Sequence, residues 1–214
     1  DCPHPKIAAV RVSNAGIARL ALDHFLDRGF CRFAYCGIHR RRWVRLRGDA
    51  FVRFAREAGH VCAVYELPQR ETKAWYAEAQ RERLADFVQR LPKPCAILAC
   101  NDLAGQRVLD ACRRAGVAVP ESVAVLGVDN DESLCEISDP LLSSIIAGQE
   151  QVGYRAAALL DQLMQGQPAP EGEVLCEPGE VVVRGSTDIL AIDDADLAAA
   201  VRFIRDRACD GIDV

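Results

Sequence analysis

The sequence predicts an α/β protein in which parallel sheets are covered by helices on both faces. Short apolar runs at 32–37, 95–100 and 123–128 are continuous, not alternating, as strands buried on both faces should be. Between them, apolar residues recur at helical spacing in stretches closed by Gly29, Gly59 and Gly116. The two patterns alternate along most of the 214 residues. Right-handed crossovers turn such an alternation into a doubly wound parallel sheet.

Taken in order, 6–12 reads as a strand ending at Ser13-Asn14, and 15–28 as an amphipathic helix. A strand at 32–37 leads into the basic run HRRRWVRLR (39–47), read as a solvated loop and helix start, or as a run from which one arginine turns into the crevice, before a helix at 46–58. After a strand at 60–67 comes a polar loop, 69–77, carrying Trp75 and Tyr76, then a helix at 78–91 ended by Pro92. The central unit, 94–131, reads strand, helix, strand: Asn101-Asp102 closes the first strand and Asp129-Asn130-Asp131 the second. Asp102 is the expected cap of the helix at 103–115. A parallel β-α-β unit puts both polar ends on one sheet edge, where open α/β folds bind small ligands. A loop at 132–140, an extended segment at 141–148, a helix at 149–165 and two short strands within 173–184 follow. From Asp193 an amphipathic helix is expected, with Leu197, Val201, Ile204 and Cys209 inward.

Half of the residues are apolar and 27% are charged, enough for one sizeable core or two modest ones. No apolar run approaches the ~20 residues of a membrane span, and the opening Asp-Cys-Pro-His-Pro has no signal-peptide character. A chain that begins with Asp1 instead of Met is expected to be a fragment. Its net charge of -5 argues against a general nucleic-acid surface, leaving room for a DNA-binding domain beyond the ends. The ten cysteines form no C-x-x-C pair and mostly fall beside Val, Ile and Ala, so they read as reduced thiols in a cytoplasmic protein. His4, His24, His39 and His60 lack ligand spacing, so no metal is implied. No G-x-G-x-x-G, P-loop or G-x-S-x-G pattern occurs, which points away from an enzyme and implies no cofactor.

The series ACND (99–102), VAVLGVDND (123–131) and DPLLSSIIAGQEQVGYRAAALL (139–160) resembles the effector-binding domain of the lactose-repressor family, a relative of periplasmic sugar-binding proteins. Ser186-Thr187-Asp188 followed by AAAVRFIRDRACDGIDV (198–214) resembles the junction where an AraC-type helix-turn-helix domain begins. Family members that join these two parts are the xylose operon regulators. The resemblance implies a periplasmic-binding-protein-like fold of type I, with doubly wound parallel sheets, one nearly complete lobe and one partial lobe. Residues 15–143 with 181–187 would form the C-terminal lobe, and 1–14 with 144–180 part of the N-terminal lobe. Residues 188–214 would be a linker and the first helix of the DNA-binding domain. Crossings between lobes would fall near 13–14, 144–145 and 178–181. It further implies a cytoplasmic homodimeric regulator, with no membrane association. Its effector would be a pentose, D-xylose by analogy, and operator DNA would be bound through a C-terminal domain absent from this chain.

By the same resemblance, Arg47 in LRGDAF takes the place of an arginine whose planar fork donates paired hydrogen bonds to adjacent sugar hydroxyls. Asp129 would accept from hydroxyls, and Asn101, at the matching place on the neighbouring strand, would donate and accept. Asn14 at the first crossing either contacts ligand or only permits the turn. Trp75 lies near where the family sets an aromatic ring against the sugar, and is equally readable as a packing residue. At the second crossing the chain departs from the pattern, with Ala147 where relatives carry a polar side chain, and Gln149 is the nearest substitute. Two rivals come from other classes. One is a periplasmic sugar-binding protein with no gene-control role, against which the cysteines and the AraC-like tail weigh. The other is a doubly wound enzyme using the acidic strand ends.

Overall fold

The computed structural model describes residues 8–39, 41–69, 72–189 and, in the C-terminal segment, 197, 200, 203 and 204. Strands β2 (Phe33–Ile38), β3 (Cys62–Leu67), β4 (Cys95–Ala99), β5 (Val123–Val128), β6 (Ser143–Ile145) and β8 (Val181–Val182) form a six-stranded sheet. Their order is β3-β2-β4-β5-β6-β8, all parallel except β8 against β6. A second, two-stranded sheet pairs β1 (Ala9–Val12) with β7 (Glu173–Cys176) in parallel. The strand order reverses between β2 and β4, the switch point at which open α/β sheets form a crevice.

The apolar runs are buried because helices cover both faces. Helices α1 (Asn14–Leu26) and α2 (Arg42–Glu57) pack together, as do α4 (Glu78–Arg90) and α5 (Asp102–Ala115). Every residue of β2, β4 and β5 is buried. Under α1 and α2, Phe51 stands edge-on to Phe25 at 6.4 Å and to Phe33 at 6.1 Å. Such pairs add about 0.5–1.5 kcal/mol each beyond area burial. The Ser13 hydroxyl caps α1 by accepting the Gly16 N–H at 3.0 Å, and Gly116 ends α5 in the left-handed region at φ 65°.

Two expectations change here. First, α2 begins at Arg42, so most of the basic run is helix: Arg41, Arg42 and Arg45 are exposed while Val44, Arg47 and Gly48 turn inward. An inward arginine hides the apolar period from the sequence. Second, short helices α3 (Lys73–Tyr76) and α6 (Glu132–Cys135) occupy the two expected loops, the latter capped by Asp131. Strand β6 pairs with β5 as far as Ile145, opposite Val128. Helix α7 (Gln149–Met164) follows, packs on β1, and buries none of its residues. The helix expected from Asp193 lies largely outside the described residues. Leu197 and Ile204 are each 54% exposed, not inward.

Candidate functional site

The site is built where α2 leans over the carboxyl ends of β2 and β4. Gly48 permits this, since a Cβ there would stand 2.5 Å from the Tyr35 ring. One residue earlier, Arg47 is only 2% exposed. Its Nε donates to Asn14 Oδ1 at 3.3 Å and its Nη1 to the Cys100 carbonyl, leaving further guanidinium N–H groups for a ligand. Burial lowers its pKa, while Tyr35 and Asp129 act the other way. A buried arginine keeps its charge, so it fixes a cation at the switch point. The Trp43 ring lies 5.0 Å from that guanidinium, one helical turn earlier, within cation–π reach.

Asp129 follows β5. Its φ of 111° and the 51° of Asn130 form a turn in a backbone region that L residues rarely adopt. Gln149 Nε2, at the start of α7, donates to Asp129 Oδ1 at 2.9 Å. Neighbouring protein raises the Asp129 pKa, opposed by the Arg47 charge and the Gln149 hydrogen bond. The residue keeps an exposed face. Asn101 caps α5: its Oδ1 accepts the Ala104 N–H at 3.0 Å. The expected cap, Asp102, is thus replaced by its neighbour. The Asn101 oxygen is committed to the cap, and its amide N–H groups are what it offers a ligand.

Arg47, Asn14, Asp129 and Gln149 are therefore linked by hydrogen bonds or charge along one polar edge, and Asn101 directly follows the Cys100 carbonyl that Arg47 holds. Trp75 does not join them. It is 3% exposed, packed with Leu67, Leu84 and Ala111, and its ring faces the Arg107 guanidinium at 4.8 Å. The aromatic beside Arg47 is Trp43, which sequence reasoning missed because it sat in a segment read as loop. Its signal was the four-residue spacing to Arg47. Two cavities of about 440 Å³ lie beside α2. One, between α2 and the two-stranded sheet, is lined by Asn14 and Trp43 with Arg42, Glu173 and Leu175. Neither is lined by Arg47 or Asp129. Among the described residues no group of three His, Cys, Asp or Glu is placed to hold a metal ion. Nor is any helix long and apolar enough to cross a membrane.

A family model described as a periplasmic binding protein-like domain matches residues 22–187. The chain belongs to that family. This periplasmic-binding-protein-like chain is also 32% identical to the xylose operon regulatory protein of Haemophilus influenzae, over 99% of its own length and 55% of the relative's. Among solved structures, the xylose-binding transcription activator XylR superposes with a TM-score of 0.84 at 31% identity, covering 98% of this chain and 56% of that one. A LacI family transcriptional regulator from Arthrobacter, in complex with lactose, superposes at 0.71 with 28% identity, over 88% and 69%. The chain spans about half the length of the xylose regulators it matches.

Proposed function

We propose that this chain is the sensor part of a sugar-responsive transcription regulator, with a pentose of the D-xylose kind as effector, and that it is not an enzyme. The observation that carries the reading is the joint presentation of a fixed guanidinium (Arg47), a carboxyl group (Asp129) and two amides (Asn101, Gln149) at the switch-point edge. A neutral polyol needs donors and acceptors in fixed directions and an aromatic face. Here Trp43 supplies the face. The groups come from around both sheets: Gln149 opens the helix packed on β1, while Asp129 follows β5. A ligand touching both binds a closed arrangement better than an open one, and that difference shifts the equilibrium. The relatives named for xylose regulation support the choice of sugar. Cytoplasmic location, a homodimer and operator binding through a segment beyond this chain belong to the same reading. So does the assignment of the two-stranded sheet with α7 to a partial N-terminal lobe and of 15–143 with 181–187 to the C-terminal lobe.

The test is calorimetric titration of the full-length protein with a panel of pentoses and hexoses, together with Asp129→Ala and Arg47→Ala. We expect one pentose to bind, and each variant to weaken it by about 10- to 100-fold, the worth of a hydrogen bond to a charged group. Variants that bind like the wild type would remove both residues from the site.

A further inference from the structure

We propose that Asp102 is the positioning residue for Asp129: from beneath the crevice its carboxylate fastens the turn that presents Asp129 to the sugar. The role rests on the sugar-sensor reading above and adds to it a residue that touches no ligand.

Asp102 is the first residue of α5 and is 1% exposed. With Asn101 doing the capping, its carboxylate is free to turn towards β5 and β6. Oδ2 accepts the Asp131 N–H at 2.8 Å, and Oδ1 accepts the Ser144 hydroxyl at 2.5 Å. Ser144 Oγ in turn accepts the Asn130 N–H at 3.0 Å. The two backbone N–H groups that follow Asp129 are thus both tied, directly or through one hydroxyl, to a single carboxylate. The Asp129 N–H goes to the Ile145 carbonyl at 2.9 Å, and the Asn130 side chain is held by Arg184 Nη1 at 2.9 Å.

The turn needs such fastening. Asp129 and Asn130 both have positive φ, and backbone in that region persists only where its surroundings over-determine it. The sequence makes room for the fastener as well: a Cβ on Gly127 would stand 2.2 Å from Asp102 Oδ1. Glycine at 127 is what lets the carboxylate lie against β5. An acceptor with two oxygens suits this place, because two donors, the Asp131 N–H and the Ser144 hydroxyl, each take one of them.

The charged and titratable groups around Asp102 are Asp129 and Asp131 on the turn, Cys135 on α6 and Arg47 on α2. Burial raises its pKa to about 6, against the hydrogen bonds from Ser144 and Asp131. The fastening form is the ionised one, so the turn should loosen as the pH falls through that value.

The experiment uses the full-length protein, titrated calorimetrically with D-xylose in the wild type, Asp102→Asn, Asp129→Asn, the double variant and Ser144→Ala. Asp102→Asn should bind about 10- to 100-fold more weakly while still melting cooperatively, and Ser144→Ala about 2- to 10-fold more weakly. If Asp102 acts through Asp129, the double variant binds no more weakly than Asp129→Asn alone; an independent structural role would instead give additive losses. The wild type should lose affinity between about pH 7 and pH 5, with a weaker dependence in Asp102→Asn, since only the wild type protonates residue 102 there. Wild-type affinity in Asp102→Asn, or fully additive losses, overturns the proposal. Should Asp102→Asn fail to fold, wild-type affinity in Ser144→Ala overturns it. A wild type that takes up no sugar overturns the sensor reading, and the positioning role with it. Sugar uptake that Asp102→Asn leaves unchanged overturns only the latter.

Discussion

Gln149 Nε2 donates to Asp129 Oδ1 at 2.9 Å, joining the helix packed on the two-stranded sheet to the end of a strand in the six-stranded one. The bond occupies the acceptor that a sugar hydroxyl would use, with an amide that could itself bond a second hydroxyl. It is a place where ligand and protein compete and cooperate at once.

Replacing Gln149 tests which side of that balance dominates. Gln149→Ala removes a neutral donor and should weaken sugar binding by about 2- to 10-fold. Gln149→Glu sets a second carboxylate against Asp129 and should weaken it further, by more than about 10-fold at neutral pH, with partial recovery as the pH falls. Calorimetry on the full-length protein at pH 7.5 and 5.5 measures both, and equal affinities for the two variants would refute the contact.

Arg47 makes a different demand. Its Nε and Nη1 reach two acceptors, Asn14 Oδ1 and the Cys100 carbonyl, that lie on separate segments. A lysine ammonium keeps the charge but has no planar fork to span both. Arg47→Lys should therefore lose about 1–3 kcal/mol of stability, the cost of leaving a buried acceptor short. Sugar affinity should also fall, by about tenfold or more. Urea unfolding alongside titration separates the two effects, and a lysine variant matching the wild type in both would show that only charge matters here.

The strands were legible because burial on both faces leaves an unbroken apolar run, and 123–128 is strand in the structure with the same bounds. Site residues were less so, for a reason that recurs. Asn101 and Asp102 are both short, polar and able to cap a helix, and only the backbone decides which faces the helix N–H groups. At φ -159°, ψ 178°, it is Asn101, so Asp102 turns under the crevice. Likewise Trp43 and Trp75 are both tryptophans among charged residues, and which one meets the site depends on whether the run around it is helix. Residue 47, the inward arginine, is the position that breaks the apolar period and conceals that helix.

The aromatic core beneath α1 and α2 should respond independently of the crevice. Phe51 is fully buried and edge-on to Phe25 and Phe33. Phe51→Ala should cost about 3–5 kcal/mol through lost contact and a residual cavity. Sugar affinity of the molecules that remain folded should be unchanged. A denaturant midpoint close to the wild type's would mean that the neighbouring helices close over the gap.

Acid dependence sets two buried groups against each other. Burial, helped by the Arg28 charge, lowers the His24 pKa from 6.5 to about 4. The unfolded chain protonates this ring first, so its contribution to stability is complete above about pH 6.5 and is lost as the pH falls towards 4. Asp102 runs the other way: burial raises it from 3.8 to about 6. The folded state takes that proton first, so its contribution is complete below about 3.8 and is lost as the pH rises towards 6. Each is worth about 3 kcal/mol at most, and over that range they nearly cancel. Single substitutions should unmask the partner. His24→Gln, which keeps a group able to bond Thr187 Oγ1, now at 3.1 Å from Nε2, should gain stability relative to the wild type on moving from pH 6.5 to 4. Asp102→Asn should lose it over the same interval. Chemical denaturation across that range measures the divergence, and parallel profiles for the two variants would show that neither group titrates differently on folding.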